Sequence, residues 1–293
     1  MASVRCPVCF SSPAEKKFTK ESYPVHGCTI CGCEFLDPQP SDGVLADIYG
    51  AQYFLGDHDE SFDQRVAALK SATAALYLDQ LAPVLAAGKK RLLEVGCGTG
   101  DFLLEAQSRS LEVSGIEYSP VSVARANQRL GREVVLRGTI DDLSLPSDHF
   151  DVIAACDVIE HTRSPRAFLE RARELLCPGG IVFLVTPSLD SWSRKLLGAR
   201  WMEYKVEHLF YFGQRSLARL LADTGFLNPV FCRNRKVLSL DYVHRHFERF
   251  QVAGLTQLFQ LARQCAPESL AQRKWVVPAS GVFVTAQKPQ PPN

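Results

Sequence analysis

From Arg91 onward, short apolar runs alternate with helical stretches, and this alternation constrains the fold more than any other property of the chain. Strands are expected at RLLEVG (91–96), LEVSGIEY (111–118), EVVLRG (133–138), DVIAACDV (151–158) and GIVFLVTP (180–187), with helices starting at Asp101, at Pro120 and over Pro165 to Leu176. Consecutive strands joined through helices run parallel, so the expected class is α/β, a doubly wound and mostly parallel sheet. A helix over 214–223, a strand over 229–234, a helical stretch from Tyr242 to Arg263 and a last strand SGVFVTAQ (280–287) bring the sheet to seven strands. Between the fifth strand and that helix, residues 188–212 are less regular and rich in aromatic side chains, which reads as an insertion.

The N-terminus follows a different logic. Of ten cysteines, Cys6, Cys9, Cys28, Cys31 and Cys33 fall within the first 33 residues, a stretch with little aliphatic periodicity and no means of building a core alone. Cys6-Pro-Val-Cys9 and Cys28-Thr-Ile-Cys31 have the two-knuckle spacing in which four thiolates close a tetrahedron around Zn²⁺. A closed four-thiolate set leaves no position for water, so the expected role is structural. Cys33 and His26 are candidate substitutes but surplus to four ligands, and the five later cysteines, scattered through apolar runs, are expected to be small buried hydrophobes. The expected domains are a zinc-binding segment and link (1–42), a helical lead-in (43–90) and an α/β domain (91–293) carrying the insertion at 188–212. Within the lead-in, Phe62, Val66, Leu69 and Leu76 recur at helical spacing, and Pro83 and Gly88 mark the end of a long helix.

Charge and hydropathy exclude some partners. A net charge of +1 provides no overall basic field for a nucleic-acid backbone or an anionic membrane. No apolar run has the length of a membrane span, and MASVRCPVCF lacks the apolar core of a signal peptide, so a cytoplasmic location is expected.

The first strand ends in Glu94-Val-Gly96-Cys97-Gly98-Thr-Gly100, directly before the helix at Asp101. At the carboxyl end of a central strand, glycines let the backbone approach a ligand, and the helix N-terminus supplies unpaired amides. Glu94 would repel a pyrophosphate but tolerates a cationic cofactor, and the third glycine comes one residue too early for GxGxxG, which disfavours a dinucleotide. Glu117 ends the next strand, where a carboxylate can take both hydroxyls of a ribose. Asp141 and Asp142 follow the third strand, within reach of an adenine amino group.

The runs LLEVGCGTGDFL, GIEYSP, GTIDDLSLPSDHFDVI and CPGG resemble class I S-adenosylmethionine-dependent methyltransferases over roughly residues 90 to 288. The resemblance implies the Rossmann-like methyltransferase fold, and a cofactor site of Glu94, Gly96, Cys97, Gly98, Gly100, Glu117, Tyr118, Ile140, Asp141 and Asp157. It implies that the glycines cradle the methionine part, Glu117 the ribose and Asp141 the adenine. Many relatives carry Asp directly after the glycine where this chain has Thr139, which sets the adenine end apart. DVIEHTRSPRAFLERARELLCPGG is similar to the branch with ubiquinone-type and sugar or natural-product methyltransferases. CPVC, CTICG and FLDPQPSDGVLADIYGAQYF are similar to the zinc-binding segment of bacterial members of that branch, sugar C-methyltransferases included.

Methyl transfer from a sulfonium is a one-step displacement, and a hydroxyl or acidic C–H acceptor needs a base. His161, beyond the fourth strand, is the first candidate and His208 the second; the alternative is that Glu160-His161 only braces its loop. An acid-x-x-Glu-His run in quinone O-methyltransferases is linked to a divalent metal, which raises Asp157, Glu160 and His161 as a second donor set. Trp201, Tyr204, Glu207, His208, Tyr211 and Phe212 are expected to build an acceptor wall or to anchor the insertion, and Tyr49 and Tyr53 to cap the cofactor or pack. The expected function is methyl transfer to a small-molecule acceptor, such as a sugar nucleotide, polyketide-like or phenolic metabolite, at oxygen or carbon. Two alternatives are a zinc-knuckle RNA methyltransferase, for which Lys16, Lys17 and Lys20 speak, and a non-catalytic cofactor-binding scaffold.

Overall fold

The computed structural model describes residues 4–11, 13–48, 60–85, 88, 90–250 and 254–291. Tyr49 and Tyr53 lie outside the described residues. The cysteine-rich segment folds as three short strands, β1 (Ala14–Lys20), β2 (Tyr23–Cys28) and β3 (Glu34–Leu36), followed by helix α1 (Asp42–Ile48). Sequence periodicity alone gave no sign of these strands, since cysteine and glycine interrupt the alternation that marks a half-buried strand.

The lead-in helix α2 (Glu60–Leu85) runs through Pro83 rather than stopping before it, because a proline in the last turn removes only one intrahelical hydrogen bond. Then come β4 (Arg91–Val95), α3 (Asp101–Ser108), β5 (Glu112–Glu117), α4 (Pro120–Leu130), β6 (Val135–Arg137), β7 (Phe150–Cys156), α5 (Pro165–Leu175) and β8 (Leu176–Pro187). Ser119 and Ser164 cap α4 and α5, each accepting a backbone N–H three residues on, and Pro at the first helical position presets the turn. The insertion contains helix α6 (Trp192–Leu197) and strand β9 (Phe210–Tyr211), and is therefore more ordered than its composition implied. After it come α7 (Gln214–Asp223), β10 (Leu227–Leu238), α8 (Leu240–Phe250), α9 (Leu255–Cys265), α10 (Glu268–Ala271) and β11 (Trp275–Gln287).

The large sheet has seven strands in the order β10-β11-β8-β7-β4-β5-β6; β4 to β8 pair parallel and β11 runs antiparallel to both neighbours. Alternate side chains point to opposite faces and divide the core in two. Ile153, Ala155, Val182, Leu184 and Val282 face α5 and α7 on one side; Val152, Ala154, Phe183, Val185 and Phe283 face α2 and α3 on the other. Tyr77, Leu78 and Leu81 of the lead-in helix belong to the second face, so α2 is a layer of the sheet domain.

The parallel strands point their carboxyl ends at one edge, where the loops after β4, β5, β7 and β8 gather. The insertion leaves and returns at that edge, its ends joined by a Ser188–Phe212 bridge and by Leu189 N donating to Phe212 O at 2.8 Å. Trp201, Tyr204, Phe210 and Phe212 are 2% exposed or less. Full burial of a side chain of Phe size contributes ~1.5–3 kcal/mol, so the four rings fix the excursion in place. Strand β9 adds to β3 and completes a separate four-stranded sheet, β1-β2-β3-β9. No helix among the described residues is long and apolar enough to cross a membrane.

Candidate active site and metal centre

The glycine loop leaves β4 in a left-handed conformation, with φ of 70° at Gly96 and 53° at Gly98. A Cβ at Gly96 would meet Val158 Cγ2 at 2.5 Å, whereas a Cβ at Gly98 would meet nothing within 4 Å. Gly96 thus serves packing as well as backbone freedom, and Gly98 leaves open space above the loop. The Gly98 amide donates to Glu117 Oε2 at 2.9 Å and the Ser119 amide to Oε1 at 2.8 Å. Both oxygens of this buried carboxylate are therefore fixed by backbone at the tip of β5, each retaining a lone pair for a hydroxyl donor. Glu94 lies behind the loop; its Oε2 has no hydrogen-bond partner among the described residues, and burial, reinforced by Asp101 and Glu117, holds its carboxyl well above the usual range.

A cavity of about 1330 Å³ opens over this edge. Of the ten residues expected around a cofactor, Gly96, Glu117, Tyr118, Ile140, Asp141 and Asp157 line it; Glu94, Cys97, Gly98 and Gly100 are not among its lining residues. Asp142 turns away, accepting from the Thr139 amide at 3.2 Å and from Thr139 Oγ1 at 2.7 Å. Asp141 alone of that pair faces the cavity, and the threonine after the glycine is what fixes its neighbour.

Glu160, His161 and His208 come together in the lining of the same cavity. The two imidazoles meet edge to face with centroids 4.6 Å apart. His161 Nδ1 lies 3.0 Å from Glu207 O and His208 Nδ1 lies 2.8 Å from Glu203 O. A carbonyl only accepts, so each Nδ1 carries the proton and each Nε2 carries the lone pair. Burial pushes His161 down to about 4, and burial together with His161 pushes His208 well below its usual value, so both rings are neutral at pH 7. Glu160 is 1% exposed. Its Oε2 accepts from Thr186 Oγ1 at 2.9 Å, its Oε1 has no hydrogen-bond partner among the described residues, and burial beside Asp157 pushes it up to about 8.

One donor atom from each of Glu160, His161 and His208 falls within a 4.8 Å cluster, an inventory suited to a divalent cation or a proton relay. Asp157 is not part of that set. It pairs with Lys236 Nζ of β10 at 3.0 Å, so the donor group expected from Asp157, Glu160 and His161 forms with His208 in place of the aspartate.

The cysteine centre is built from four sulfurs. Cys6, Cys9, Cys28 and Cys31 are buried with all Sγ atoms within 4.8 Å of one another, Cys6–Cys31 at 3.6 Å and Cys9–Cys28 at 3.5 Å. A tetrahedron of 2.3 Å Zn–S bonds has S···S edges of about 3.8 Å, so the four thiols fit one zinc ion. The Cys31 amide points at Cys28 Sγ at 3.4 Å, orienting the second knuckle. Cys33 stands apart: its Sγ donates to Glu34 O and Tyr211 O, and full burial holds its thiol well above the usual range. His26 lies outside the cluster and stacks on Phe35.

A family model described as a methyltransferase domain matches residues 66–228, more than half of the chain. The chain belongs to that family. Ubiquinone biosynthesis O-methyltransferase of Cereibacter sphaeroides is 35% identical to this methyltransferase-domain chain over 119 residues, 38% of the chain and 48% of that protein. The enzyme of the same name from Yersinia pestis is 30% identical over 122 residues, 39% and 50%. The chain thus spans about half the length of the curated relatives it matches. An S-adenosylmethionine-dependent methyltransferase of Thermotoga maritima superposes with a TM-score of 0.51 at 20% identity, over 76% of this chain and 91% of that one. Geranyl diphosphate C-methyltransferase from Streptomyces coelicolor gives 0.50 at 17%, over 80% and 88%. The fold is the Rossmann-like one of class I S-adenosylmethionine-dependent methyltransferases.

Sequence reasoning about this methyltransferase-domain protein missed the wall built by β10, α8 and α9. Lys236, Asn234, Tyr242, His246 and Phe247 all line the cavity. Asn234 is buried and accepts from Tyr77 Oη at 2.9 Å, tying the lead-in helix to the same wall. No motif marks these positions; the one available signal was an asparagine at the end of the strand expected over 229–234, with a lysine two residues beyond it.

Proposed function

We propose that this chain transfers the methyl group of S-adenosylmethionine to a small-molecule acceptor, a sugar nucleotide, polyketide-like or phenolic metabolite, at oxygen or carbon. One observation carries the reading: the backbone-fixed Glu117 carboxylate and the His161–His208 pair line a single cavity. When bound, the cofactor supplies an electrophilic methyl on a sulfonium. In this reading Glu117 receives the ribose hydroxyls, Asp141 and the Ile140 backbone meet the adenine, and Gly96, Gly98 and Gly100 give room to the methionine half. In this reading Glu94, buried and with no hydrogen-bond partner on one oxygen among the described residues, suits a cationic cofactor better than a phosphate.

His161 is the proposed base. Its neutral ring, with the proton held on Nδ1 by the Glu207 carbonyl, presents Nε2 to an acceptor hydroxyl or acidic C–H. His208, edge-on to it, is the proposed partner that receives or relays the proton. In this reading the apolar and aromatic side chains that the insertion and α8 bring to the cavity reduce the water around the displacement.

The deciding experiment is transfer of labelled methyl from S-adenosylmethionine into a fractionated extract of the native organism, with mass spectrometry of the product. A labelled compound of low molecular weight is expected; label found only in RNA would replace the reading with the RNA alternative. For the cysteine centre, elemental analysis of protein never exposed to chelator is expected to give about one zinc per chain, and less than about a tenth of that removes the metal.

A further inference from the structure

The cysteine sheet and the acceptor-side insertion are remote in sequence but form one hydrogen-bonded unit. Three residues beyond Cys31, Glu34 opens β3, which pairs with β9 through Glu34–Tyr211 and Phe35–Phe210. Leu36 N donates to Leu209 O at 3.0 Å, and Cys33 Sγ to Tyr211 O at 3.6 Å. The Glu34 side chain reaches on into the insertion. Its Oε2 accepts from Tyr204 Oη at 2.5 Å and its Oε1 from Arg194 Nη2 at 3.2 Å, while Arg194 Nε donates to Tyr204 Oη at 3.2 Å. Only 8% of Glu34 is exposed and Tyr204 is buried, so a charge-assisted triad completed by the half-buried Arg194 links the two elements.

Both histidines hang from the stretch that this triad holds. Glu203 O and Glu207 O fix His208 Nδ1 and His161 Nδ1, and Leu209 N donates to Glu160 O at 2.8 Å. A two-residue strand such as β9 has no stability of its own and takes its position from its partner. That partner, β3, emerges directly from the Cys28–Cys31 knuckle, where Cys28 N donates to Cys33 O at 2.9 Å.

We propose that Glu34 is a positioning residue and that metal binding by Cys6, Cys9, Cys28 and Cys31 sets the geometry of the acceptor side. Zinc holds the knuckle, the knuckle holds β3, and β3 with Glu34 holds residues 203–211 and through them the two imidazoles. The inference rests on the zinc reading. It assigns the N-terminal segment to acceptor handling and leaves cofactor binding independent of it, because the glycine loop and Glu117 are built wholly within the large sheet.

The test uses the full chain in three forms: parent as purified, parent stripped with chelator, and Glu34→Gln. Four readouts are taken: zinc content, calorimetry with S-adenosylhomocysteine, hydrogen exchange by mass spectrometry, and the imidazole NMR signals of His161 and His208. Glu34→Gln is expected to keep its zinc and to bind S-adenosylhomocysteine within about twofold of the parent, while amides 203–212 exchange roughly tenfold faster or more and the imidazole signals shift. Peptides spanning 91–118 should exchange as in the parent. The stripped protein should show the same pattern, larger. If stripping zinc unfolds the whole chain, so that peptides 91–118 also lose protection, Glu34→Gln decides alone. Bound zinc with amides 203–212 and both imidazoles indifferent to Glu34→Gln overturns this inference and leaves the zinc reading intact. Zinc below about a tenth per chain in unstripped parent overturns both.

Discussion

Glu117 and Glu160 are both buried carboxylates on the same cavity, and they are held in opposite ways. At the glycine-loop side, Glu117 receives two backbone amides, one on each oxygen, from residues within the same strand-turn-helix units. At the histidine side, Glu160 has one hydroxyl donor, Thr186, and an oxygen with no hydrogen-bond partner among the described residues. The groups around it come from the loop after β7, from the insertion and, through β9, from residue 34. Backbone amides bring a carboxylate partners that no side-chain substitution elsewhere removes. A site assembled from four stretches of chain has to meet its polar needs with side chains, and it leaves some of them open to titration or to a ligand.

The sharpest way to break this contrast is to titrate it. Glu160 is pushed up to about 8 from an ordinary value near 4.5, so the folded state holds a proton that the unfolded state releases as pH rises above 4.5. Stability is therefore expected to fall across the window from about 4.5 to about 8, by up to about 1.4 kcal/mol per pH unit, and to level off above it. In Glu160→Gln that slope should vanish from the difference in urea midpoints measured between pH 5 and 8. An unchanged slope would mean that Glu160 is satisfied in solution as fully as Glu117.

Next in size is the chemistry. His161→Ala is expected to lower the single-turnover rate of methyl transfer by ~10²-fold or more while cofactor affinity, measured by calorimetry, stays within about twofold. His208→Ala is the internal comparison. If it loses the rate and His161→Ala keeps it, the base lies on the insertion; if both keep it, alignment of a reactive acceptor carries the catalysis.

The smallest expected effect lies on the cofactor side. Glu117→Ala should weaken S-adenosylmethionine binding by roughly 1 to 3 kcal/mol, since it leaves ribose hydroxyls and the Gly98 and Ser119 amides without their acceptor. Equal calorimetric affinities would take Glu117 out of the site and erase the difference between the two halves.

Much of the glycine-loop side, where the cofactor is proposed, was legible in the sequence because its information is local. Gly96, Gly98 and Glu117 stand at fixed offsets from strand ends, and any chain that folds as alternating strands and helices delivers them to one edge. The same holds for the CxxC pairs, where each pair is one turn and only their approach is tertiary. The acceptor side was legible only as a set of suspects: His161 and His208 were singled out, but nothing in their spacing said that they would touch, or that Asp157 would be taken by Lys236 rather than by Glu160 and His161.

What the sequence determined by itself, then, is whatever depends on period and offset: parallel strands, helix caps, the glycine turn and the two knuckles. Tertiary structure decided what depends on which surfaces meet. EHLFYF reads as an aromatic run, yet Phe210 and Tyr211 become the fourth strand of the cysteine sheet because an edge at β3 with unpaired backbone groups lies beside them. Asn234 reads as the polar end of a strand and Lys236 as a residue just past it, and both become a cavity wall because α2 and the loop after β7 pack against β10. Such pairings carry no local signature, since the energy that selects them comes from burying apolar surface and satisfying backbone groups between segments that are neighbours only after the chain has folded.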